Sequence, residues 1–417
     1  MKLATGNSVH SGPIVVVGAG AAGLMAAIFA ALGQCPVILL EGTDRPGQKI
    51  LISGGGRCNV LPSRASASDF HTDGSSNLLR KILAAWPFAE VQRFFEEDLG
   101  VPLALEQESG KLFPVSNRAR TVLDALIGAA QARNVELRIR ARVYGLERND
   151  GGWTVKVESG ERIRASRVVL ATGGLSVPAT GSDGAGLRIA RDLGHSVIPT
   201  YPALTPLTTS SKVHKGLAGV SLPETRISTP RPEGKGSLLY RGGFLFTHRG
   251  YSGPAVLNIS HVPVRSTFVG GPRPVVSVQW TRLDATDWHE ELRGGQGPAI
   301  AVLRRHIPER LAVVLLHELN LSNARLEQLH REDRRRIVQA LTEYRLPWSG
   351  HEGYRVAEVT GGGVPLSEVN PATLESREVP GLFLCGEMLD AFGPIGGYNF
   401  LWSWISGKIA GLACNPA

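Results

Sequence analysis

The stretch Pro13-Ile14-Val15-Val16-Val17-Gly18-Ala19-Gly20-Ala21-Ala22-Gly23 joins a short, uncharged, β-branched run to a glycine-spaced turn. Such a run has the composition of a parallel strand buried on both faces. An Ala-rich helix is expected after it, from about Leu24 to Leu32. Pro36-Val37-Ile38-Leu39-Leu40 reads as a second buried strand and ends at Glu41. The whole is one β-α-β unit of about 30 residues. Within it Gly18 permits the tight turn, Gly20 lets backbone N–H groups approach a pyrophosphate, and Gly23 lets helix and sheet pack closely. The helix N-terminus offers unpaired donors and a positive dipole end to phosphates. Glu41 is placed to accept both hydroxyls of an adenosine ribose, and it would repel a 2′-phosphate.

FAD and NAD share the ADP half, so this unit alone leaves both open. The rest of the chain favours FAD. Arg167-Val168-Val169-Leu170 is another buried strand and runs into Ala171-Thr172-Gly173-Gly174. Leu382-Phe383-Leu384-Cys385 is a further one and runs into Gly386-Glu387. An NAD dehydrogenase needs no such second set of glycine-rich strand ends. No second strand–GxGxxG–helix unit is present. Gly361-Gly362-Gly363 is followed by Val364-Pro365, which does not open a helix. NAD(P)H is therefore expected, if at all, as a transient reductant docking over the flavin.

Between these elements, helices are expected around Leu78–Leu99 and Ala119–Arg133. Strands are expected over Glu136–Glu158, with a hairpin turn at Asn149-Asp150-Gly151-Gly152. From about Gly194 to Gly350 the texture changes to short strands, then a helical section from about Ile300 to Tyr344. The expected class is α/β: a discontinuous Rossmann-type FAD-binding domain (13–193 and 351–417) with an inserted β-rich plus helical substrate domain (194–350). The last helix should run from about Phe400 to Leu412. The first twelve residues are polar and are expected to fray.

The motifs resemble those of the HI0933-like flavoproteins, the aminoacetone oxidase/BaiN-type NAD(P)/FAD-dependent oxidoreductases. The matching pieces are GAGAAG at 18–23, QKILISGGGRCNV at 48–60, GKLFPVSNRARTVLDAL at 110–126 and ATGGLSVPATGSDGAG at 171–186. FTHRGYSGPAVLNIS at 246–260, EVTGGGVPLSEV at 358–369 and GLFLCGEMLDAFGPIGGYNFLWSWISGKIAG at 381–411 complete the set. The resemblance implies bound FAD and an insert that sets specificity. Some relatives are associated with reduction of carbon–carbon double bonds in steroid-like bile acid intermediates.

Carried over by position, the resemblance implies FAD contacts at Gly18, Gly20, Ala22, Gly23 and Glu41 on the ADP half. Lys49, Ser53, Gly54, Gly56, Arg57, Cys58 and Asn59 would lie along the flavin side, and Val143 would meet the adenine through its backbone. Thr172 and Gly173 would flank the pyrophosphate. Gly386, Glu387, Gly396, Gly397, Tyr398 and Asn399 would close over the ribityl and pyrimidine end. Glu387 stands where many FAD folds have Asp.

Flavin carries the redox chemistry itself, and the protein positions and tunes it. No catalytic residue is assigned by motif; the candidates are Arg57, Cys58, His248 and Tyr251. Arg57 can pair with a phosphate or an anionic substrate. Cys58 in a thiol–disulfide role needs a second Cys in reach; a structural role is the simpler expectation. In Thr247–Pro254, Ser252 suits a helix N-cap and Pro254 the first turn. His248 or Tyr251 as a proton donor facing the flavin is the sharper alternative.

The bulk numbers bound the class. The chain has 417 residues, 42% hydrophobic and 20% charged, as in soluble globular proteins. The formal charge of +8 is modest at this length, and no Lys/Arg block is interleaved with aromatics. Four Cys, without metal or disulfide spacing, fit a reducing cytoplasm. No signal peptide, membrane span or metal site is expected. A small-molecule flavin reductase or oxidase is the first reading. An RNA-modifying flavoprotein and a non-catalytic flavin sensor are the alternatives; a nucleic-acid partner is not expected, and a basic face clustered across the insert would support one. The oligomeric state and the substrate are not encoded in any motif.

Overall fold

The computed structural model describes residues 12–231 and 235–415. The expected fraying of the N-terminal residues falls almost wholly outside that range. Two compact units emerge: residues up to Thr200 together with Val359 onward, and Tyr201–Glu358.

The first unit is built on five parallel strands. They are β1 (Ile14–Val17), β2 (Val37–Leu40), β3 (Glu136–Arg138), β4 (Arg167–Leu170) and β6 (Leu382–Leu384), in the order β6-β4-β1-β2-β3. β5 (Val359–Gly363) lies outside that sheet. Val17 is in register with both Leu40 and Leu170, and Leu170 with Leu384. The carboxyl ends of β1, β2, β4 and β6 therefore lie level, and each runs into one of the motif loops. β1, β2, β4 and β6 are buried on both faces, which is why they read as continuous apolar runs, whereas the edge strand β3 is partly exposed and carries Glu136 and Arg138.

Helix α1 spans Ala21–Ala30, helix α2 Gln48–Ile52 and the last helix, α3, Tyr398–Ala413. α3 lies tightly on α1. A Cβ on Gly407 would come 2.4 Å from the carbonyl oxygen of Ala22, and one on Gly411 2.3 Å from that of Ala26. Only glycine at these two positions permits so short an approach.

Prolines account for several departures from the sequence expectations. The helix expected over 78–99 is broken at Pro87 into Ser76–Ala84 and Phe88–Arg93, and then widens into a π-turn over Phe94–Asp98. Proline has no N–H to continue the ladder, so it starts the next segment instead. The helical section of the insert divides the same way at Pro308, into Ala299–Leu303 and Glu309–Glu318, with Arg331–Thr342 following. Ser252 is not an N-cap. It closes a short strand, Gly250–Ser252, and Gly253, at φ 96°, caps the helix that Pro254 opens.

The second unit carries a seven-stranded sheet in which the hairpin Ser221–Pro230/Ser237–Phe246 is central. Its aromatic core stacks Phe244, Phe246, Tyr251 and Trp280.

Candidate functional site

The turn after β1 shows the steric need for glycine at positions 18 and 23. Gly18 sits at φ 100°, and a Cβ there would lie 2.6 Å from the carbonyl oxygen of Ala171. A Cβ on Gly23 would lie 1.7 Å from the carbonyl oxygen of Gly18, so strand and helix touch through this residue. Around Gly20 nothing lies within 4 Å of the Cβ position. That face of the loop is open, and no side chain caps α1 or places an acid in its first turn. Open glycine backbone before an uncapped helix start suits a diphosphate.

Glu41 is buried at the end of β2. Its Oε1 accepts the Thr43 N–H at 2.8 Å and the Thr43 hydroxyl at 2.8 Å, and its Oε2 accepts the Ala19 N–H at 3.1 Å. A carboxylate offers about four acceptor positions. One remains, on Oε2, so Glu41 can take one ribose hydroxyl where the sequence suggested two. Val143 is buried at the start of its strand (Val143–Asn149), two residues beyond Ala141, whose N–H donates to the Glu41 carbonyl at 2.8 Å.

The loop after α2 winds left-handed through Gly54, Gly55 and Gly56, at φ 55°, 67° and 85°. Side chains rarely adopt three such residues in a row. Ser53 turns back, its hydroxyl donating to the Ile50 carbonyl and its carbonyl accepting the Cys58 N–H. Cys58 is fully buried, and burial pushes its thiol up to about 12. A thiol so held is inert at neutral pH, which favours the structural role. Arg57 is already engaged: Nη1 meets Glu106 Oε1 at 2.9 Å, and the guanidinium lies 4.0 Å from the Phe113 ring centroid. The neighbouring Asn59 Oδ1 is buried without a partner. An orphaned acceptor costs about 1–3 kcal/mol, and a ligand N–H would relieve it. Together with the open loop at Gly20, this orphan fits a dinucleotide cofactor with a hydrogen-bonding ring.

Thr172 and Gly173 leave β4 with Gly173 at φ 74°. The Thr172 hydroxyl reaches Met388 Sδ at 3.3 Å. Past β6, a Cβ on Gly386 would lie 2.8 Å from that of Ala22, which brings this strand end against the first turn of α1. Gly396 and Gly397 have φ 108° and 97° and lead into α3, which no side chain caps. Tyr398 is α3's first residue, half-buried. Asn399 ties this loop down, accepting from Gly393 N–H and donating to the Gly393 and Pro394 carbonyls.

Glu387 gathers residues from three other motifs. Its Oε2 accepts from Lys49 Nζ at 2.6 Å, and its Oε1 accepts from the Ser176 hydroxyl at 2.6 Å and the Thr360 N–H at 3.0 Å. Lys49 Nζ also donates to Ser176 Oγ at 2.5 Å. Thr360 Oγ1 in turn accepts the N–H groups of Leu175 and Ser176. Sequence reasoning had no signal for Ser176 or Thr360 beyond their nearness to glycine runs.

The candidate proton donors lie in the second unit. His248 is exposed. Tyr251 does not face a ligand site: it is fully buried, and its hydroxyl pairs with His214 Nδ1 at 2.8 Å. His214 Nε2 contacts Glu318 Oε1 at 3.2 Å and the Tyr344 hydroxyl at 2.8 Å. Burial drives the Tyr251 hydroxyl well above the ordinary tyrosine range. Every member of this network is engaged, and it runs from buried Tyr251 and His214 out to Glu318 at the surface.

Neither this network nor a Ser–His–Glu chain in the first unit was visible in the sequence. Ser376 Oγ lies 2.8 Å from His195 Nε2, and His195 Nδ1 lies 2.6 Å from Glu368 Oε2. Ser376 Oγ also accepts the N–H groups of Glu378 and Val379. Its lone pairs are spent on the turn, so it caps backbone and has none left for nucleophilic attack. Among the described residues no group of His, Cys, Asp and Glu could hold a metal, and no helix is long and apolar enough to cross a membrane.

Level strand ends, the open Gly20 loop and the glycine-rich 53–59 loop define a dinucleotide-binding protein on a Rossmann-type sheet, and its relatives make it an FAD-dependent oxidoreductase. The chain belongs to the HI0933-like family, whose Rossmann-domain model matches residues 12–413. It is 34% identical over 401 residues to the ribosomal RNA dihydrouridine synthase of Escherichia coli K12, covering 94% of this chain and 95% of that protein. It is 31% identical over 412 residues to the 3-dehydro-bile acid delta(4,6)-reductase of Clostridium scindens, covering 96% and 98%. In fold it is similar to a 3-ketosteroid-delta4-(5alpha)-dehydrogenase of Rhodococcus jostii, with TM-score 0.50, 15% identity, and coverage of 97% and 96%.

Proposed function

We propose that the protein reduces a carbon–carbon double bond conjugated to a carbonyl group, with FAD held at the carboxyl ends of β1, β4 and β6. The observation that carries this reading is the meeting of the QKILIS, ATGGLS, EVTGGG and CGEM motifs at those strand ends. In open parallel sheets, ligands bind in the crevice outside the carboxyl ends of the strands. The two relatives' names describe one kind of chemistry. Dihydrouridine differs from uridine by two hydrogens across a double bond conjugated to a carbonyl, and a 3-dehydro steroid with delta(4,6) unsaturation has the same conjugation. Bound FAD would supply the electron pair. The chain's own residues bind and orient: Gly20 and the start of α1 take the diphosphate, Glu41 one ribose hydroxyl, and Asn59 a ring N–H. NAD(P)H serves as a transient reductant in this reading.

Two substrate classes fit, and one observation separates them. The second unit holds 21 Lys/Arg against 14 Asp/Glu, while the first holds 24 against 23. Nearly all of the +8 therefore sits on residues 201–358. Such asymmetry favours an anionic partner, so uridine in RNA is the stronger reading and a small steroid-like enone the second. The test has two stages. Purified protein should be yellow, and anaerobic NADH or NADPH should bleach it. Incubation with unmodified ribosomal RNA, and separately with a 4-en-3-one steroid, should then yield dihydrouridine or the saturated ketone. A colourless protein that binds no added FAD sinks the cofactor assignment. Bleaching with turnover of neither compound sinks the conjugated-alkene reading.

A further inference from the structure

We propose that Lys49 and Glu387 form a charge pair that sets the reduction potential of the bound flavin, with Glu387 acting as the positioning residue for the Lys49 ammonium. The proposal rests on the FAD reading above. It starts from the unspent valences of the cluster. Glu387 Oε1 is saturated by the Ser176 hydroxyl and the Thr360 N–H. Oε2 holds Lys49 alone and keeps one acceptor position. Lys49 donates two of its three N–H groups, to Ser176 and Glu387, and keeps one. One donor and one acceptor therefore remain, side by side. They are not sealed in the core: the side chains are 27% and 15% exposed.

The cluster is built rather than incidental. Lys49 is on α2, immediately before the left-handed glycine loop, and Glu387 follows Gly386, which packs on α1. Ser176 belongs to the loop leaving β4. A Cβ on Gly174 would lie 2.4 Å from Thr360 Oγ1 and 2.9 Å from Glu387 Oε1, so glycine at 174 makes the room in which the pair closes. Thr360 clamps the same loop by accepting two of its N–H groups. Lys49 is thereby held in one place by two short contacts from two other segments, which a free surface lysine would not be.

Reduction adds negative charge to an isoalloxazine. A fixed cation nearby raises the potential, and a fixed anion lowers it. A salt bridge of defined geometry keeps the two opposed and lets each be removed separately. Mere scaffolding would behave differently: loss of either partner would loosen FAD without a sign attached to the charge removed.

The experiment is a spectroelectrochemical titration of the FAD-loaded full chain and four variants. Lys49→Met should lower the midpoint potential and weaken FAD binding several-fold. Glu387→Gln keeps an acceptor for Ser176 and Thr360 and should raise the potential. Lys49→Arg should stay near wild type. The double variant Lys49→Met/Glu387→Gln should fall between the two singles. Shifts of the same sign in both singles, or none, overturn the proposal. If Lys49→Met retains no flavin, Glu387→Gln and Lys49→Arg decide it: a lowered potential in the first, or a changed one in the second, overturns it. A wild-type chain that binds no FAD is a different result. It removes the underlying cofactor reading before any potential is measured.

Discussion

The two units handle buried polar groups in opposite ways. In the first, the Lys49–Glu387–Ser176 cluster is partly open and leaves a donor and an acceptor unspent. In the second, His214 is fully buried and both its ring nitrogens are taken, by Tyr251 on one side and by Tyr344 and the surface carboxylate Glu318 on the other. The charges differ too: the first unit is near neutral and the second strongly basic. An open polar cluster on a neutral frame is suited to hold a ligand, and a closed one inside a basic body to hold its own fold. Exposed charge on such a body is then available for a partner.

The largest effect should come from breaking the frame under the open cluster. Gly23→Val drives a branched side chain into the Gly18 carbonyl and should cost more than about 3 kcal/mol, giving insoluble or unfolded chain. Gly20→Val is its control, because its Cβ meets open space. It should fold with the melting temperature of flavin-stripped wild type and emerge colourless. A yellow Gly20→Val with unaltered affinity would contradict the diphosphate placement.

Next is the closed network. His214→Ala strips a partner from the buried Tyr251 hydroxyl, the half-buried Tyr344 hydroxyl and Glu318, and should cost about 2–4 kcal/mol. Denaturant unfolding should show the loss, while FAD content per folded molecule stays at the wild-type value. Loss of flavin in parallel with folding of the second unit would mean that the two regions are not as separable as their internal bonding implies.

Glu41→Arg replaces the last ribose acceptor with a cation. FAD affinity should fall by about 1.5–3 kcal/mol, roughly 10- to 150-fold. Fluorescence on dilution measures it, and full occupancy under dilution would refute the assignment.

The smallest effect is a pH slope in the first unit. Burial raises Asp390 from 3.8 to about 6, even though Thr72 and the Asp73 N–H donate to it. A folded-state value above the unfolded one favours the protonated form. The contribution to stability is complete below about pH 4 and is lost as pH rises through about 6, at up to about 1.4 kcal/mol per pH unit. Asp390→Asn keeps an acceptor and should flatten that slope. Paired denaturation curves between about pH 4.5 and 7 test it, and parallel slopes in the two proteins would dispose of the titration.

The sheet was legible because parallel strands buried on both faces must be uninterrupted apolar runs. Val15-Val16-Val17, Ile38-Leu39-Leu40 and Val168-Val169-Leu170 have no other good solution near glycine-rich turns. The need for glycine at 18 and 23 followed from backbone sterics that any sequence must obey. Helix breaks at Pro87 and Pro308 were legible in principle, from the missing N–H, but the apolar period across them masked the interruption. Ser252 misled because Ser before Pro reads as a cap when the strand pairing of 250–252 is unknown.

The site divides along the same line. Spacing made Glu41 visible, as the acid at the end of the second strand, while the 53–59 loop and Gly386-Glu387 were picked out by their resemblance to the family's motifs. Tertiary structure alone decided what those groups do with their valences. Thr43 takes two of Glu41's acceptor positions, Glu106 occupies Arg57, and His214 captures Tyr251. Lys49, Ser176, Thr360 and Glu387 are spread over 338 residues of chain and meet within hydrogen-bond distance. A sequence records which donors and acceptors exist. Which of them are spent on one another depends on loops converging at the ends of level strands, and that is set by packing the whole unit rather than by any one segment.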